Sequence, residues 1–377
     1  MQVKSFHAAS IQGVTDALVQ ARAGGFAPTL GIVFTSVSHD LAAVRAAFGQ
    51  GDAGLQIFGA TSAGGIEASA AGGDCVFEQS IVASLLQLDR AAFRVKLFDG
   101  VGRDPVDVGR EVGEWARLVI ANPALMIAAS GLRTDGEQLV RGILGVTGPD
   151  APIFGGLAGD DLQFKDTQVF SNDGASPQGV LALAFDRDLI EVRGVAASGW
   201  RAVGGEKVIT SSTGNVVHTI DGAPALDVYK EYLGVTSDTD IIIPEYPLQI
   251  MKDGYAVMRA ALLTDPATRS LVYAGTVPQG ARVRFSTSPG VEITEAALHE
   301  MRLLHETTES ADALVLFSCK GRHMALGPMA EDEIRPMQQL WGKPLVGLFA
   351  YGEIGPLASG HCDFHNETCV LVTLRER

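Results

Sequence analysis

Ile153-Phe154-Gly155-Gly156-Leu157-Ala158-Gly159-Asp160-Asp161 is a short apolar run that dissolves into glycines and then into a pair of acids. It has the length and residue types of a buried strand entering a tight turn. Upstream lie another apolar run at 125–129, a polar turn at 130–136 and a helical spacing over 137–144; downstream a third apolar run fills 179–185. The same order recurs twice. On the amino-terminal side it runs from 30–34 through the polar stretch 35–40 and Leu41, Val44 and Phe48 at helical spacing. It continues into Leu55-Gln56-Ile57-Phe58-Gly59-Ala60-Thr61-Ser62-Ala63-Gly64-Gly65 and closes with 80–88. On the carboxyl-terminal side it runs from 313–317 through 318–323, a helix at 331–341, Pro344-Leu345-Val346-Gly347-Leu348-Phe349-Ala350-Tyr351-Gly352-Glu353 and a closing run at 368–374. Three copies of one strand, helix, strand unit predict an α/β fold with α+β character, its repeated units forming mixed sheets.

Between the second and third copies, 189–312 reads differently. Strand-like runs at 190–195, 207–210, 215–220, 255–263, 271–276 and 281–287 surround one helix at 223–233, with Gly234 placed to cap it. No Pro-rich or low-complexity linker separates the parts, so two closely packed domains are expected, 25–222 and 223–377.

Composition narrows the function. Of 377 residues, 29 are basic and 44 acidic, a net charge of -15 whose field repels nucleic acid and anionic membrane surfaces. No apolar stretch reaches the roughly 18 residues of a spanning helix, and the start has no basic-then-apolar leader, which predicts a cytoplasmic chain without membrane insertion. Four cysteines are too few for a disulfide framework, consistent with a reducing compartment.

In open α/β sheets ligands bind beyond the carboxyl ends of the parallel strands. Applied to the three units, that rule gathers Ser36 to Asp40 with Thr61 to Gly65, Arg133 with Asp160 and Asp161, and Cys319, Arg322 and His323 with Tyr351 and Glu353. Arg322 beside Glu353 matches the two ends of a zwitterion, a planar fork for a carboxylate and a carboxylate for an ammonium group, or else forms an internal salt bridge. Arg133 with Asp160 allows the same two readings. No Walker lysine and no GxGxxG spacing accompany the glycines, which argues against a nucleotide. His361, Cys362, His365 and Cys369 cluster near the end, and with Cys319 they offer sulfur and imidazole donors for iron, haem or zinc; the candidate metal residues are His365, His361 and Cys319. Cys319 with His323 or His365 and Glu353 also has the inventory of a cysteine-dependent hydrolase or transferase, which predicts that thiol probes label Cys319 far faster than Cys75.

At these residues the chain resembles the FIST family of sensory proteins. The amino-terminal part of the family is matched by 153–161 and by Gly214-Asn215-Val216-Val217 running to Asp221-Gly222-Ala223-Pro224-Ala225-Leu226. The carboxyl-terminal part is matched by Val257-Met258-Arg259, Gly275-Thr276-Val277-Pro278-Gln279-Gly280, Phe317-Ser318-Cys319-Lys320-Gly321-Arg322, Tyr351-Gly352-Glu353-Ile354-Gly355-Pro356 and His365-Asn366-Glu367-Thr368. Trp200 stands where the family often has a cysteine, so a ligand role of that thiol is lost. The resemblance implies a small-molecule sensor and not an enzyme. Its ligand would be an amino acid or, in a haem-binding branch, nitric oxide, and its output a histidine kinase or diguanylate cyclase. With no output domain expected after the match, the signal would pass by contact to a separate partner. By position the resemblance carries Cys319, Arg322, Tyr351, Glu353 and His365 into the site; Asn366 and Thr368, in the same motifs, equally allow a ligand contact or the capping of a turn.

Overall fold

The structure of the chain is a computed structural model that describes residues 1–49, 54–69, 72–234, 246–252, 254–288, 290–308 and 310–377. The first unit comprises β1 (Gln2–Ala8), α1 (Ile11–Arg22), β2 (Leu30–Thr35), α2 (Leu41–Gly49), β3 (Gln56–Thr61), the hairpin β4 (Gly65–Ala68) and β5 (Val76–Phe77), and β6 (Ile81–Gln87). The second repeats this order with β7 (Phe93–Phe98), α3 (Pro105–Val119), β8 (Pro123–Ala129), α4 (Gly136–Thr147), β9 (Ile153–Leu157), the hairpin β10 (Val169–Phe170) and β11 (Ala175–Ser176), and β12 (Val180–Asp186). The third opens with β13 (Ile190–Ala197) and then receives an insertion: β14 (Arg201–Thr213), β15 (Val216–Ile220), β16 (Ala223–Pro224), α5 (Ala225–Leu233), β17 (Leu248–Lys252), β18 (Tyr255–Arg259), β19 (Ala261–Asp265), β20 (Ser270–Tyr273) and β21 (Arg282–Thr287). It resumes with α6 (Glu292–Thr307), β22 (Ala313–Cys319), α7 (Lys320–Leu326), α8 (Ala330–Trp341), β23 (Leu345–Ala350), the hairpin β24 (Glu353–Pro356) and β25 (Cys362–His365), and β26 (Cys369–Glu376).

Each unit builds a six-stranded sheet in the same order, but finishes it with a hairpin taken from another unit. The sheets run β1-β6-β2-β3-β10-β11, β7-β12-β8-β9-β24-β25 and β13-β26-β22-β23-β4-β5. The pairs β2/β3, β8/β9 and β22/β23 are parallel, while every closing strand is antiparallel to its neighbours, so the expected mixed sheets are found. The exchange is cyclic: the first unit lends its hairpin to the third, the third to the second and the second to the first.

Backbone hydrogen bonds close the cycle. The Ala63 N–H donates to the Phe349 carbonyl (2.9 Å), Tyr351 to Leu157 (3.0 Å) and Gly159 to Thr61 (3.0 Å); in return Phe349 donates to Gly64 (2.9 Å), Leu157 to Gly352 (2.8 Å) and Thr61 to Gln168 (2.8 Å).

Strand alternation explains why the opening strands read as unbroken apolar runs. Leu30, Ile32 and Phe34, Ala124, Met126 and Ala128, and Ala313, Val315 and Phe317 face one shared central core, where Phe34 meets Phe317 edge to face at 6.1 Å. The alternate residues, such as Leu125 and Ile127 or Leu314 and Leu316, face the helices outside. Both faces are buried, so no polar alternation is required. Helix α3 shows how the outer layer is specified: Asp104 caps its first turn by accepting from the Val106 N–H (2.8 Å), Pro105 follows, and Val108, Val112 and Ala116 form its buried stripe.

The insertion forms an eight-stranded sheet with its own core around Tyr229 and Tyr273. Two local expectations change. The run 255–263 is split at Ala260, because β18 pairs with β17 while β19 turns to β20. The stretch 318–323 is not a turn: α7 starts at Lys320, directly off β22, held by the buried side chain of Arg322. The junction between residues 222 and 223 falls between β15 and β16, which pair with each other. Among the described residues no helix is long and apolar enough to cross a membrane.

Gly159 sits in the ring of backbone bonds, where a Cβ would lie 2.5 Å from the Ala63 nitrogen. Gly159→Ala is expected to destabilise the protein by about 1–3 kcal/mol in urea unfolding. Gly145→Ala, on the open face of α4 where a Cβ meets nothing within 4 Å, should instead gain about 0.5–1 kcal/mol. Equal stability of the two variants would refute the close approach at the ring.

Candidate functional site

Where β22 and β23 end, three parts of the chain enclose a cavity of about 190 Å³. The third unit supplies Cys319, Lys320, Gly321, Met324, Ala350 and Tyr351 with the turn residues Asn366 and Glu367; the second unit's loops supply Gly131, Leu132, Leu162 and Phe164; the insertion supplies Ala260, Ala261, Leu262 and Ala274. A second cavity of about 370 Å³ occupies the matching edge of the first unit, around Thr35, Asp40, Thr61 and Asp160. Both lie where the carboxyl-edge rule puts them.

The first cavity has apolar walls and a polar floor. The floor is the turn between β25 and β26. The Cys319 N–H donates to the Thr368 carbonyl (2.9 Å) and the Ser198 hydroxyl to the Glu367 carbonyl (3.1 Å), which pins the turn under β22. Glu367 is fully buried in the left-handed region at φ 55°, and neither carboxyl oxygen has a hydrogen-bond partner among the described residues. Asn366 is 1% exposed and both of its amide atoms are likewise unpartnered. Gly321 makes the room, since a Cβ there would stand 2.3 Å from Glu367 Oε1. Glu353 lies deeper: Thr368 Oγ1 donates to its Oε2 (2.8 Å) and Oε1 is free. Burial raises the Glu353 carboxyl well above its ordinary range and pushes that of Glu367 up to about 8, against the opposing pull of Arg322.

Tyr351 and Asp160 shape the wall. The Tyr351 hydroxyl donates to Asp160 Oδ1 (2.5 Å) and accepts from the Leu162 N–H (2.9 Å), and its ring stacks on Phe164 at 5.3 Å. Asp160 also accepts from the backbone N–H groups of Phe164 (3.0 Å), Lys165 (2.6 Å) and Asp166 (3.0 Å). The carboxylate thus folds the loop that delivers Leu162 and Phe164 to the cavity.

Several expected pairings are not made. Arg322 does not face Glu353 as half of a zwitterion clamp. Its guanidinium is fully buried and forked onto Glu333 of α8, with a Nε to Oε2 distance of 2.9 Å; it also donates to the Ser198 and Ile293 carbonyls and lies over the Trp200 ring at 5.4 Å. Each of its three nitrogens has a partner. Arg133 is exposed and borders a separate small recess, while Asp160 spends its oxygens on the loop and Tyr351, so these two do not pair. The donor set expected for haem or a metal does not fit one centre. His361 is exposed, stacked on Tyr255 at 5.1 Å and 3.2 Å from Ser359 Oγ. His365 is sealed in β25, with Nε2 2.9 Å from the Gly355 carbonyl; a carbonyl only accepts, so that nitrogen carries the proton, and burial lowers the ring's pKa to about 4. Neither ring lines the cavity that Cys319 borders. Cys319 is no activated nucleophile either: burial raises its thiol well above the usual range, and His323 is engaged with Lys320 (3.1 Å) and stacked on Phe349.

Two family profiles match this chain. The FIST N domain covers residues 29–223 and the FIST C domain residues 225–356. The chain belongs to the FIST family. FIST domains are associated with small-ligand sensing in signalling. The chain is similar to an uncharacterized protein of Mycobacterium bovis, at 27% identity over 228 residues, covering 56% of this chain and 57% of that protein. It is 26% identical over 239 residues to an uncharacterized protein of Mycobacterium tuberculosis, covering 58% and 60%. This FIST chain therefore spans less than two thirds of the length of the curated relatives it matches.

Two predictions follow from the charges around the FIST cavity. Arg322→Met strands Glu333 without a partner and should cost about 3–5 kcal/mol in urea unfolding. Arg322→Met with Glu333→Met should recover most of that loss, and an Arg322→Met protein of full stability would restore the clamp reading. The second concerns Glu367. From about 4.3, the ordinary glutamate value, up to about 8 the folded protein keeps a proton that the unfolded chain has released. Its contribution to stability is whole below that window and is lost as pH rises through it. Glu367→Gln should remove this slope, leaving the variant more stable than the parent by a few kcal/mol above pH 8; parallel stability curves from pH 5 to 9 would contradict it.

Proposed function

We propose that this protein is a cytosolic small-molecule sensor whose ligand occupies the cavity between β22, β23, the 160–168 loop and the insertion. It acts by binding, without catalysis, and passes its signal by contact to a separately encoded histidine kinase or diguanylate cyclase. One observation carries the reading: in an apolar cavity of the size of a small molecule, the side chains of the two polar residues at the floor, Asn366 and Glu367, are buried and have no hydrogen-bond partner among the described residues. Buried polar groups are nearly always satisfied, and a cluster left open inside a cavity is the arrangement of a binding site. Membership of a sensory family agrees with it.

The cavity also suggests how occupancy becomes a signal. Its insertion wall, Ala260 to Leu262, adjoins Arg259, a buried residue that donates to Glu137 Oε2 of α4 (2.7 Å) and to the Phe364 carbonyl of β25 (3.1 Å). Nearby, Lys252 bridges Glu137 (2.9 Å) and Asp363 (2.7 Å). A ligand that touches the insertion and the three-unit body together favours whichever arrangement of the two it fits better. On this reading the parts 25–222 and 223–377 work as one sensor.

The test is ligand-observed NMR with a library of molecules of about six to ten non-hydrogen atoms, the size class of a cavity somewhat larger than one that holds benzene. Binders should be lost in Ala274→Trp, which fills the wall, and should change the output of a histidine kinase or diguanylate cyclase encoded beside the gene. A library without any binder sensitive to Ala274→Trp would sink the site, and binders that leave both outputs unchanged would sink the proposed partners.

A further inference from the structure

The buried ionisable groups around the cavity are not all paired. Arg322 is matched by Glu333, Arg259 by Glu137 (2.7 Å), and Lys320, which borders the cavity, by Glu78 (3.2 Å). Three cations are thus answered by three carboxylates. Of the carboxyl groups left without a cation, Asp160 is satisfied by the Tyr351 hydroxyl and three backbone N–H groups, whereas Glu367 at the floor and Glu353 beneath it have three oxygens between them that accept from nothing among the described residues. Asn366 Oδ1 adds a fourth open acceptor beside them.

Resting on the sensor reading above, we infer that the ligand is a small primary ammonium ion with an apolar body and no carboxylate. A primary ammonium presents three N–H donors on a compact charge. The two Glu367 oxygens and Asn366 Oδ1 supply three acceptors from one turn. The positive charge is matched by the Glu367 carboxylate that forms as its proton leaves, and the apolar body lies against Leu162, Phe164, Leu262 and Met324. A carboxylate on the ligand has no counterpart, because Arg322 and Lys320 already hold theirs. An amino acid therefore fits worse than the amine that shares its side chain.

Charge matching also fixes the proton balance. Glu367 is held largely protonated at neutral pH by burial, and Glu353, Cys319 and Arg322 are the titratable groups that act on one another around it. Entry of a cation favours the carboxylate, so the proton leaves to solvent as the ammonium binds.

Isothermal titration with n-pentylammonium, 1-pentanol, pentanoate and norvaline tests the assignment, each at pH 7 in two buffers of different ionisation enthalpy. The expected result is that n-pentylammonium binds with release of up to one proton, at least tenfold more tightly than the other three. Glu367→Gln should weaken it tenfold or more and abolish the proton release, and Ala274→Trp should block it. Should Glu367→Gln fail to fold, the proton count of the parent protein still decides. No binding by n-pentylammonium, binding without proton release, or norvaline binding equally well would each overturn the inference. Pentanol or pentanoate binding as tightly as n-pentylammonium, and blocked by Ala274→Trp, would overturn it while leaving the sensor site standing. Absence of every binder in the wider library removes the sensor site as well.

Discussion

Six backbone hydrogen bonds, exchanged head to tail among the ends of β3, β9 and β23 and the turns that follow them, hold the three units in register. Each bond satisfies a peptide group at the point where a strand leaves its sheet, where it would otherwise be orphaned in the interior. Because each turn bonds to the sheet of another unit, the hairpin after it continues into that sheet and covers its open edge. No unit completes its own sheet, and the central core draws on all three. The site inherits this geometry. Tyr351 gives its N–H to the ring and its hydroxyl to the loop from the second unit, so the same residue that joins two units also forms the cavity wall between them.

Against that rigid frame the electrostatics divide into two kinds of buried charge. Arg322, Arg259 and Lys320 are spent on carboxylates and carbonyls, and their role is to fix α7, the insertion and the edge of the cavity. Removing one member of such a pair is costly while the pair itself contributes little net stability, so they specify position more than they stabilise. Glu367 and Glu353 are of the other kind. They are buried without a cation of their own, and burial answers by keeping their protons on. A fold that needed only stability would place apolar groups there. On the proposed reading, these two perturbed acids belong to a binding site, Glu367 at its floor and Glu353 beneath it.

Much of the frame is legible in the order of residues. Three opening runs such as 125–129, apolar on both faces, announce parallel strands buried on two sides, and the recurring turn after 153–157 announces the repeat. The hairpin exchange is not legible, because β5, β10 and β11 are two residues long and nothing in so short a strand names its partner sheet. Site residues divide the same way. The carboxyl-edge rule reaches Cys319 and Tyr351, which border the cavity, but it pairs Arg322 with the wrong acid. Glu333 lies eleven residues further on, in the acidic first turn of α8, where Glu331, Asp332 and Glu333 read as helix-dipole charges and not as one buried partner. Asn366 is reached only as a residue of a matched motif and Glu367 is given no role by the sequence; the turn is buried because 362–365 and 369–374 on either side of it are buried, Asp363 and His365 included, and those two polar residues hide the signal.

On the proposed reading, the insertion is the part of the site that can move. The three units are bound to one another through strands and a continuous core, but β18 and β19 meet them through side chains, with Arg259 and Lys252 on Glu137 and Asp363, and Thr276 on Asp135 (3.1 Å). Charged contacts between preformed surfaces exchange for water and for one another at less cost than the breaking of a shared sheet. On the proposed reading, a ligand seated between Glu367 and Ala260 to Leu262 spans that softer joint. A cation there takes the place of the Glu367 proton and draws the insertion wall onto an apolar body, and neither effect touches the six-bond ring. The signal is then a change in how the insertion sits on the body, and the surface it alters is that of the insertion, the part of the chain that stands outside the threefold repeat.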